Sequence, residues 1–586
     1  MGQSLVKPNR TQFTDLDGLA AMVADGDVFG VGGHHFARLP IALLRAMGQR
    51  KVRDLRYTAW AGGLPLEMLL EADAVASIDL CFSSLDIFGL PPRFRAAAES
   101  GRLPVRDWTA LAMIQALRAA QQNLPSLPFQ LPAGSAMMRR VPDAITAADP
   151  VSGAPIGVIP ALRLDTLALH APRADADGNV QIIGAKALDL AMAGAARKVL
   201  VTVDEIVPAG GLASGGRQTI LLRNQVSAVA VVSGGAWPSS CLPFYAADYA
   251  ALSAAFDSTD PLHKSLALPM SGVPVYLRRA AAIRAADVRL AAPPVHAAPP
   301  APTVDEIMAA RIAVELDDEC FASAGAVSPL ANVAYRLAKA THAPKMIIAT
   351  LSCGHLDIAP SPMLLSLLES LDAETAVAHA GGDETYSAFY QAGAVTHEII
   401  AAAQIDRRGR VNTLAINRVK GGFIRLPGQG GMADVANMHR DYVLYVTRHS
   451  PLTLVEAVDF ASSGRGLLSG EERSTAGYRT GRALVFTDLC VFRLDSALRQ
   501  LIVAETMPGV SRARIAEATG FPAVFAPNCV ETPMPSGETL GILRHRIDPL
   551  GLRRLEFTGT RERGRLIAEI LAADRAMVDR LTGDAA

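Results

Sequence analysis

Residues 170–181 read HAPRADADGNVQ, and residues 402–413 read AAQIDRRGRVNT. Each closes an apolar run, and each contains Asp-x-x-Gly-x-Val: Asp175, Gly178 and Val180 in the first, Asp406, Gly409 and Val411 in the second. Asp caps nearby backbone amides and Gly tolerates positive φ, so both stretches predict a tight turn after a strand. One such turn is common. A second pair, in the same order, decides the fold. Residues 25–33 read DGDVFGVGG and residues 317–325 read DDECFASAG. Each follows an amphipathic helical stretch, 16–23 and 304–314, and each runs from an acidic turn through a small-residue strand into a glycine loop.

Between the repeats, residues 291–303 read AAPPVHAAPPAPT. Proline removes backbone donors and favours extended geometry, so this is a spacer. The predicted organisation is a first domain over 1–290, a linker over 291–303 and a second domain over 304–586. Short apolar strands, such as 198–203 and 345–350, alternate with Ala-rich helices such as 331–341. That alternation predicts parallel sheets covered by helices on both faces. The expected fold is α/β, two tandem related open α/β domains joined by a Pro/Ala-rich linker.

The 586 residues exceed what one core usually carries. Lys and Arg number 56 against 57 Asp and Glu, and half the chain is apolar. Disorder is thereby excluded, as are a general nucleic-acid binder and a polybasic membrane-surface protein. The cysteines, Cys81, Cys241, Cys320, Cys353, Cys490 and Cys529, form no C-x-x-C pair. The start of the chain is polar, without an apolar signal core, and no uncharged apolar run reaches the ~18 residues needed to span a bilayer. A reducing cytoplasm is the expected compartment.

Two glycine clusters invite a nucleotide reading and fail it. Gly30-Val31-Gly32-Gly33-His34-His35 lacks the last glycine of G-x-G-x-x-G, and GGLASGG at 210–216 lacks the Gly-Lys-Ser/Thr of a P-loop. Close approach to a ligand and tight turning both stay open. His34 and His35 tempt a metal assignment. As neighbours on a strand they would point to opposite faces, and no third ligand supports a site, so no metal is expected.

The segment Asp25-Gly26, five residues, Gly32-Gly33 resembles the start of the first subunit of family I CoA-transferases. Phe88-Gly89-Leu90, FRAAAESG at 94–101, Arg118-Ala119-Ala120, Leu124-Pro125, HAPRADADGNVQ, VTVDEI at 201–206 and GGAWPSSC at 234–241 resemble the first subunit of glutaconate CoA-transferase. Thr341-His342-Ala343-Pro344, AAQIDRRGRVNT, RLPGQGGMA at 425–433, Val458-Asp459-Phe460, VFTDL at 485–489, Pro508-Gly509-Val510 and IDPLGLR at 547–553 resemble its second subunit. The resemblance implies two subunits fused in one chain. It implies transfer of coenzyme A between an acyl-CoA thioester and a carboxylic acid, through a glutamate that forms an anhydride and then a glutamyl-CoA thioester. Glycine-loop amides would stabilise the oxyanions. CoA thioester would be substrate, with no resident cofactor, and the protein a homo-oligomer.

One position departs from the family. Its glutamate stands in Glu-Ser-Gly at the end of the strand after His-Ala-Pro. Here residues 346–357 read MIIATLSCGHLD, which contains no Glu. Aligning Gly354 with the motif glycine puts Ser352 at that position; without a gap it is Leu351. Three explanations follow. Another carboxylate, Asp357 or the Asp383–Glu384 pair, reaches the site. Or Ser352 or Cys353, with His355, substitutes as nucleophile or positions water, against the plain reading of Cys353 as a small buried hydrophobe and His355 as a satisfied loop residue. Or the protein hydrolyses acyl-CoA, as relatives that open cyclic β-diketone thioesters do. Those relatives carry an acidic residue in the segment matching 105–118, where Ala110 stands here with Asp107 nearby.

The expected catalytic set is therefore Ser352, Cys353, His355 and Glu384. The expected CoA-binding set is Gly32, Gly33, Gly325, Gln404, Gly428, Gly430 and Gly431, with Asn412 a further polar candidate. The loop 428–431 is expected to offer backbone N–H groups to the thioester or pantetheine. Hydrolase and non-catalytic acyl-CoA binder are the alternatives to transferase.

Overall fold

The computed structural model describes residues 10–213, 219–288, 301–325 and 328–583. Most of the spacer at 291–303 lies outside them. Its last residue, Thr303, precedes helix Val304–Ala313 and donates its N–H to the Glu306 carboxylate at 2.9 Å.

The first half is built on a sheet whose spatial order is Gln12–Thr14, Ala228–Val231, Ala196–Val207, Leu164–Asp175, Val28–Val31, Leu55–Ala61, Val75–Phe82 and Val105–Asp107. All seven pairings along this path are parallel. Leu164–Asp175 is buried along nearly its whole length, as a parallel strand covered on both faces must be. Helices such as Ala110–Gln121, with nine buried residues, supply the cover.

The second half has a parallel centre ordered Ile347–Thr350, Phe321–Ser323, His397–Ala401, Asp441–Val446 and Ala483–Thr487. Both flanks depart from the parallel expectation. His355–Leu356 and Cys490–Asp495 fold back antiparallel on their predecessors. The turns at 351–354 and 488–489 are too short for a crossover, and so short a turn can only join antiparallel strands.

The internal repeat is structural. The first-half path Ala228–Val231, Ala196–Val207, Leu164–Asp175, Val28–Val31, Leu55–Ala61 runs in the same topological order as Ala483–Thr487, Asp441–Val446, His397–Ala401, Phe321–Ser323, Ile347–Thr350 in the second. The two Asp-x-x-Gly turns also match. Asp175 Oδ1 accepts from the Asp177 and Asn179 amides at 3.1 and 2.9 Å, and Asp406 Oδ1 from those of Arg408 and Arg410 at 3.0 and 3.1 Å. Gly178 and Gly409 take φ of 94° and 74°.

The halves share their interior. One buried cluster joins Trp60, Cys81 and Leu111 to Leu351, Tyr386 and Ala433; another joins Trp237 and Cys241 to Ile307 and Ile358. Among the described residues, no helix is long and apolar enough to cross a membrane.

Candidate active site

Two cavities lie between the halves. The larger, about 470 Å³, is bounded by Trp60 and Phe82 from the first half and by Ser323, Tyr390, Glu398 and the 427–432 loop from the second. The smaller, about 150 Å³, is bounded by His34, His35 and Ser240 on one side and by Thr350, His355 and Glu369 on the other. Ala324, Gly325 and Ser352 line both. This placement follows from topology. Phe321–Ser323 and Ile347–Thr350 are parallel neighbours, so the loops after them open at the same sheet edge, where open α/β sheets bind ligands.

The structure brings together three of the four expected catalytic residues, Ser352, Cys353 and His355, at the smaller cavity. Burial pushes the Cys353 thiol up to about 12, so it is a neutral thiol at physiological pH and a poor nucleophile. Its carbonyl accepts from the Lys186 amide at 3.0 Å, tying the turn to the first half. His355 is 2% exposed, with Nδ1 3.1 Å from Nδ1 of His379. Burial, then the neighbouring His379 and Lys186, hold it near 3, so its imidazole is neutral. The acidic candidates go elsewhere. Glu384 is exposed and accepts from the Gly381 amide at 2.9 Å, capping a short helix. Asp383 faces Arg118, and Asp357 pairs with Lys339 at 2.6 Å.

The glycine loop corrects one expectation. The Gly428 N–H donates to Thr413 O at 3.0 Å, and those of Gln429 and Gly430 both donate to Cys81 O, at 2.8 and 3.0 Å. The Gln429 and Gly430 amides dock the loop on the first half and that of Gly428 ties it to its own half, which removes all three as oxyanion donors; Gly428, Gly430 and Gly431 line the larger cavity, Gly431 beside the Tyr386 hydroxyl. Gly325 lines both cavities. Gly32 and Gly33 line a separate crevice of about 10 Å³ behind the histidines, with the Gly33 amide held by Asp189 Oδ1 at 2.9 Å. Gln404 and Asn412 serve the turn between Gln404–Asp406 and Val411–Asn412, where Asn412 Nδ2 donates to Gln404 Oε1 at 2.8 Å; neither is among the described residues lining these two cavities.

His34 and His35 also differ from expectation. They follow the strand Val28–Val31 in a turn where Gly33 and His35 take φ of 80° and 51°. Strand alternation therefore does not apply, and the rings meet edge to face with centroids 4.1 Å apart. His35 Nδ1 lies 2.6 Å from Asp86 Oδ1.

Sequence reading missed Glu398. It stands on His397–Ala401 and is the sole carboxylate among the described residues lining the larger cavity. The Tyr390 hydroxyl donates to Glu398 Oε2 at 2.7 Å, and Ser323 Oγ lies 2.6 Å from the same hydroxyl. The signal was alternation: residues 398 and 400 share one strand face, and both line the cavity. Glu369 was missed too. Its carboxylate takes the Ser240 hydroxyl at the smaller cavity, and burial raises it above the usual range.

Among the described residues, His170, Asp204 and Cys241 alone bring three possible metal-ligand atoms within 4.8 Å of one another. His170 spends Nε2 on Asp204 at 2.9 Å and Nδ1 on Thr202 at 2.8 Å, and burial keeps the Cys241 thiol protonated. That chemistry fits a closed hydrogen-bond network better than an ion.

The coenzyme A transferase family model matches residues 13–214 and again 305–518. The 3-oxoadipate CoA-transferase of Pseudomonas knackmussii has a subunit that is 31% identical over 38% of this chain and 85% of its own length. The cholesterol ring-cleaving hydrolase IpdA subunit from Mycobacterium tuberculosis is 30% identical over 40% of this chain and 84% of its own length. The crystal structure of an acyl-CoA transferase from Escherichia coli O157:H7 superposes with a TM-score of 0.66 at 15% identity, covering 91% of this chain and 99% of that one, a likeness of fold. With two family matches, one in each repeat, this chain belongs to the coenzyme A transferase family of enzymes and carries two copies of the family unit in one polypeptide.

Proposed function

We propose that the protein transfers coenzyme A between an acyl-CoA thioester and a carboxylic acid, with Glu398 in place of the glutamate missing from 346–357. The observation that carries this is Glu398 itself, the carboxylate of the larger cavity, with Tyr390 bound to one of its oxygens. Ser352, one of the two residues that alignment sets against the family's glutamate, lines both cavities; Leu351, the other, lines the larger one.

In this scheme Glu398 attacks the thioester carbonyl carbon. The C–S bond breaks, CoA leaves as thiolate, and an acyl-glutamyl anhydride remains. The thiolate attacks the Glu398 carbonyl, giving glutamyl-CoA and the free acid. A second acid reverses both steps. Tyr390 holds the carboxylate in place, and the larger cavity holds the pantetheine arm.

A second reading is hydrolysis, favoured by the absence of Glu from 346–357 and by the 30% identity to a subunit of a ring-cleaving hydrolase. Glu398 would then act as general base on water. Incubation with acyl-CoA and an acceptor acid separates the two. Transfer requires the acceptor, and borohydride trapping maps an adduct to the peptide bearing Glu398. Hydrolysis releases CoA without acceptor and without an adduct. An adduct on 346–357 overturns both readings, and binding without turnover leaves a non-catalytic acyl-CoA binder. Homo-oligomeric assembly, a cytoplasmic site and CoA as substrate rather than resident cofactor belong to the same proposal.

A further inference from the structure

The smaller cavity holds an unusual set of side chains. Both ring nitrogens of His34, Nε2 of His35, Nε2 of His355 and Oγ1 of Thr350 are buried there without a protein partner. A buried polar atom left unpaired costs desolvation free energy, so five around one small space mark a place where a ligand or water meets them. Burial holds His34 and His355 far below the ordinary histidine value, so both present neutral imidazoles. No Lys or Arg is among the described residues lining the cavity, while Asp86, Glu369 and Asp372 are. Asp372 is already engaged by Arg336, and Asp86 by His35.

We infer that this cavity receives the acyl group, and that it selects acyl groups bearing a neutral oxygen, an oxo or hydroxyl group, over those bearing a second carboxylate. This rests on the reading of the site as an acyl-CoA site. Neutral imidazoles and a threonine hydroxyl donate to or accept from a carbonyl or hydroxyl without an ionic partner. A second carboxylate would be desolvated among acidic side chains with no cation to meet it. A plain alkyl chain would displace water from five polar atoms and replace none of the hydrogen bonds. The size agrees: an apolar cavity of about 150 Å³ admits benzene, so an acyl group of about six heavy atoms fits.

The test is calorimetric binding to the full chain of CoA and four unreactive analogues in which CH2 replaces the thioester sulfur. The acyl groups are acetoacetyl, 3-hydroxybutyryl, butyryl and glutaryl. The oxo and hydroxy analogues should bind about tenfold more tightly than butyryl, and glutaryl no better than butyryl. Thr350→Val and His355→Leu should each remove most of that preference, by weakening the oxo and hydroxy analogues relative to butyryl. CoA binding together with equal affinities, or tight glutaryl binding, overturns this inference alone. Failure of CoA and all four analogues to bind overturns the acyl-CoA reading of the site and this inference with it.

Discussion

Glu398 and Asp434 are two carboxylates of the interior with different fates, and their surroundings say why. Glu398 is half-buried and faces the larger cavity with Tyr390 at 2.7 Å. Replacing it by Gln keeps the volume and removes the nucleophile or base, so turnover should fall at least ~100-fold. Tyr390→Phe removes a charge-assisted hydrogen bond worth about 1.5–3 kcal/mol and should cost roughly 10- to 100-fold in kcat. A Glu398→Gln variant with wild-type turnover would place the chemistry elsewhere. Asp434 is buried; it accepts from the Leu111 amide at 3.0 Å, and burial pushes its carboxyl up to about 7. Its folded value lies above the unfolded one. The stability of the protonated form is therefore complete below about pH 3.9 and is lost as pH rises through 7. Asp434→Asn, which never ionises, should be no more stable than wild type at pH 4 and more stable at pH 8, by up to about 4 kcal/mol. Urea denaturation at the two pH values measures this; a pH-independent difference would show that folding leaves the Asp434 pKa where it is in the unfolded chain.

Glycine loops show what a single element can and cannot disclose through its sequence. The Asp-x-x-Gly turns were legible because they close on themselves: the aspartate caps amides two and four residues on. The repeat was legible for the same reason, as helix Val304–Ala313 and strand Phe321–Ser323 follow local pattern. The loop 428–431 was misread because its partner, Cys81 O, lies more than three hundred residues away and belongs to the other half. Glu398 was passed over because strand alternation says which residues share a face but not which face meets a cavity built by both halves. Likewise His34 and His35 were judged by strand geometry although Gly33 had already turned the chain. The docking of 428–431 is open to test. Gly428 takes φ of 121°, and a Cβ there would sit 2.6 Å from Cys81 O. Gly421 also has positive φ, 90°, with nothing within 4 Å of a Cβ. Backbone strain alone costs about 1–3 kcal/mol at either site. Gly428→Ala should therefore lower Tm by several degrees more than Gly421→Ala, and equal losses would mean that the contact with Cys81 is not tight.

At the scale of the whole molecule, the family unit repeated within the chain bears on whether the linker is structural or merely a tether. We propose boundaries at 1–290 and 304–586, with 291–303 as tether. The halves meet through features that owe nothing to covalent continuity. Arg425 forms a buried bidentate pair with Asp107 at 3.2 and 2.5 Å, the Gly382 amide donates to Ala187 O at 2.7 Å, and Phe82 bridges to Gly428. Two buried apolar clusters also span both halves, and burial of that kind is the dominant favourable term in association. A tether adds only effective concentration, in the millimolar range for a short flexible linker. A protease site placed within 291–303 and cut in the native protein should therefore leave the halves co-eluting on size exclusion at micromolar concentration, with turnover within about twofold of the intact chain. Separation or aggregation after cutting would mean that the interface is weaker than its buried pairs imply. Co-elution with lost turnover would mean that the tether, rather than the interface, sets the spacing across the cavities. The expected result, association and turnover both preserved, would make the fusion a means of keeping two repeats at equal stoichiometry, with the chemistry residing in the surface they share.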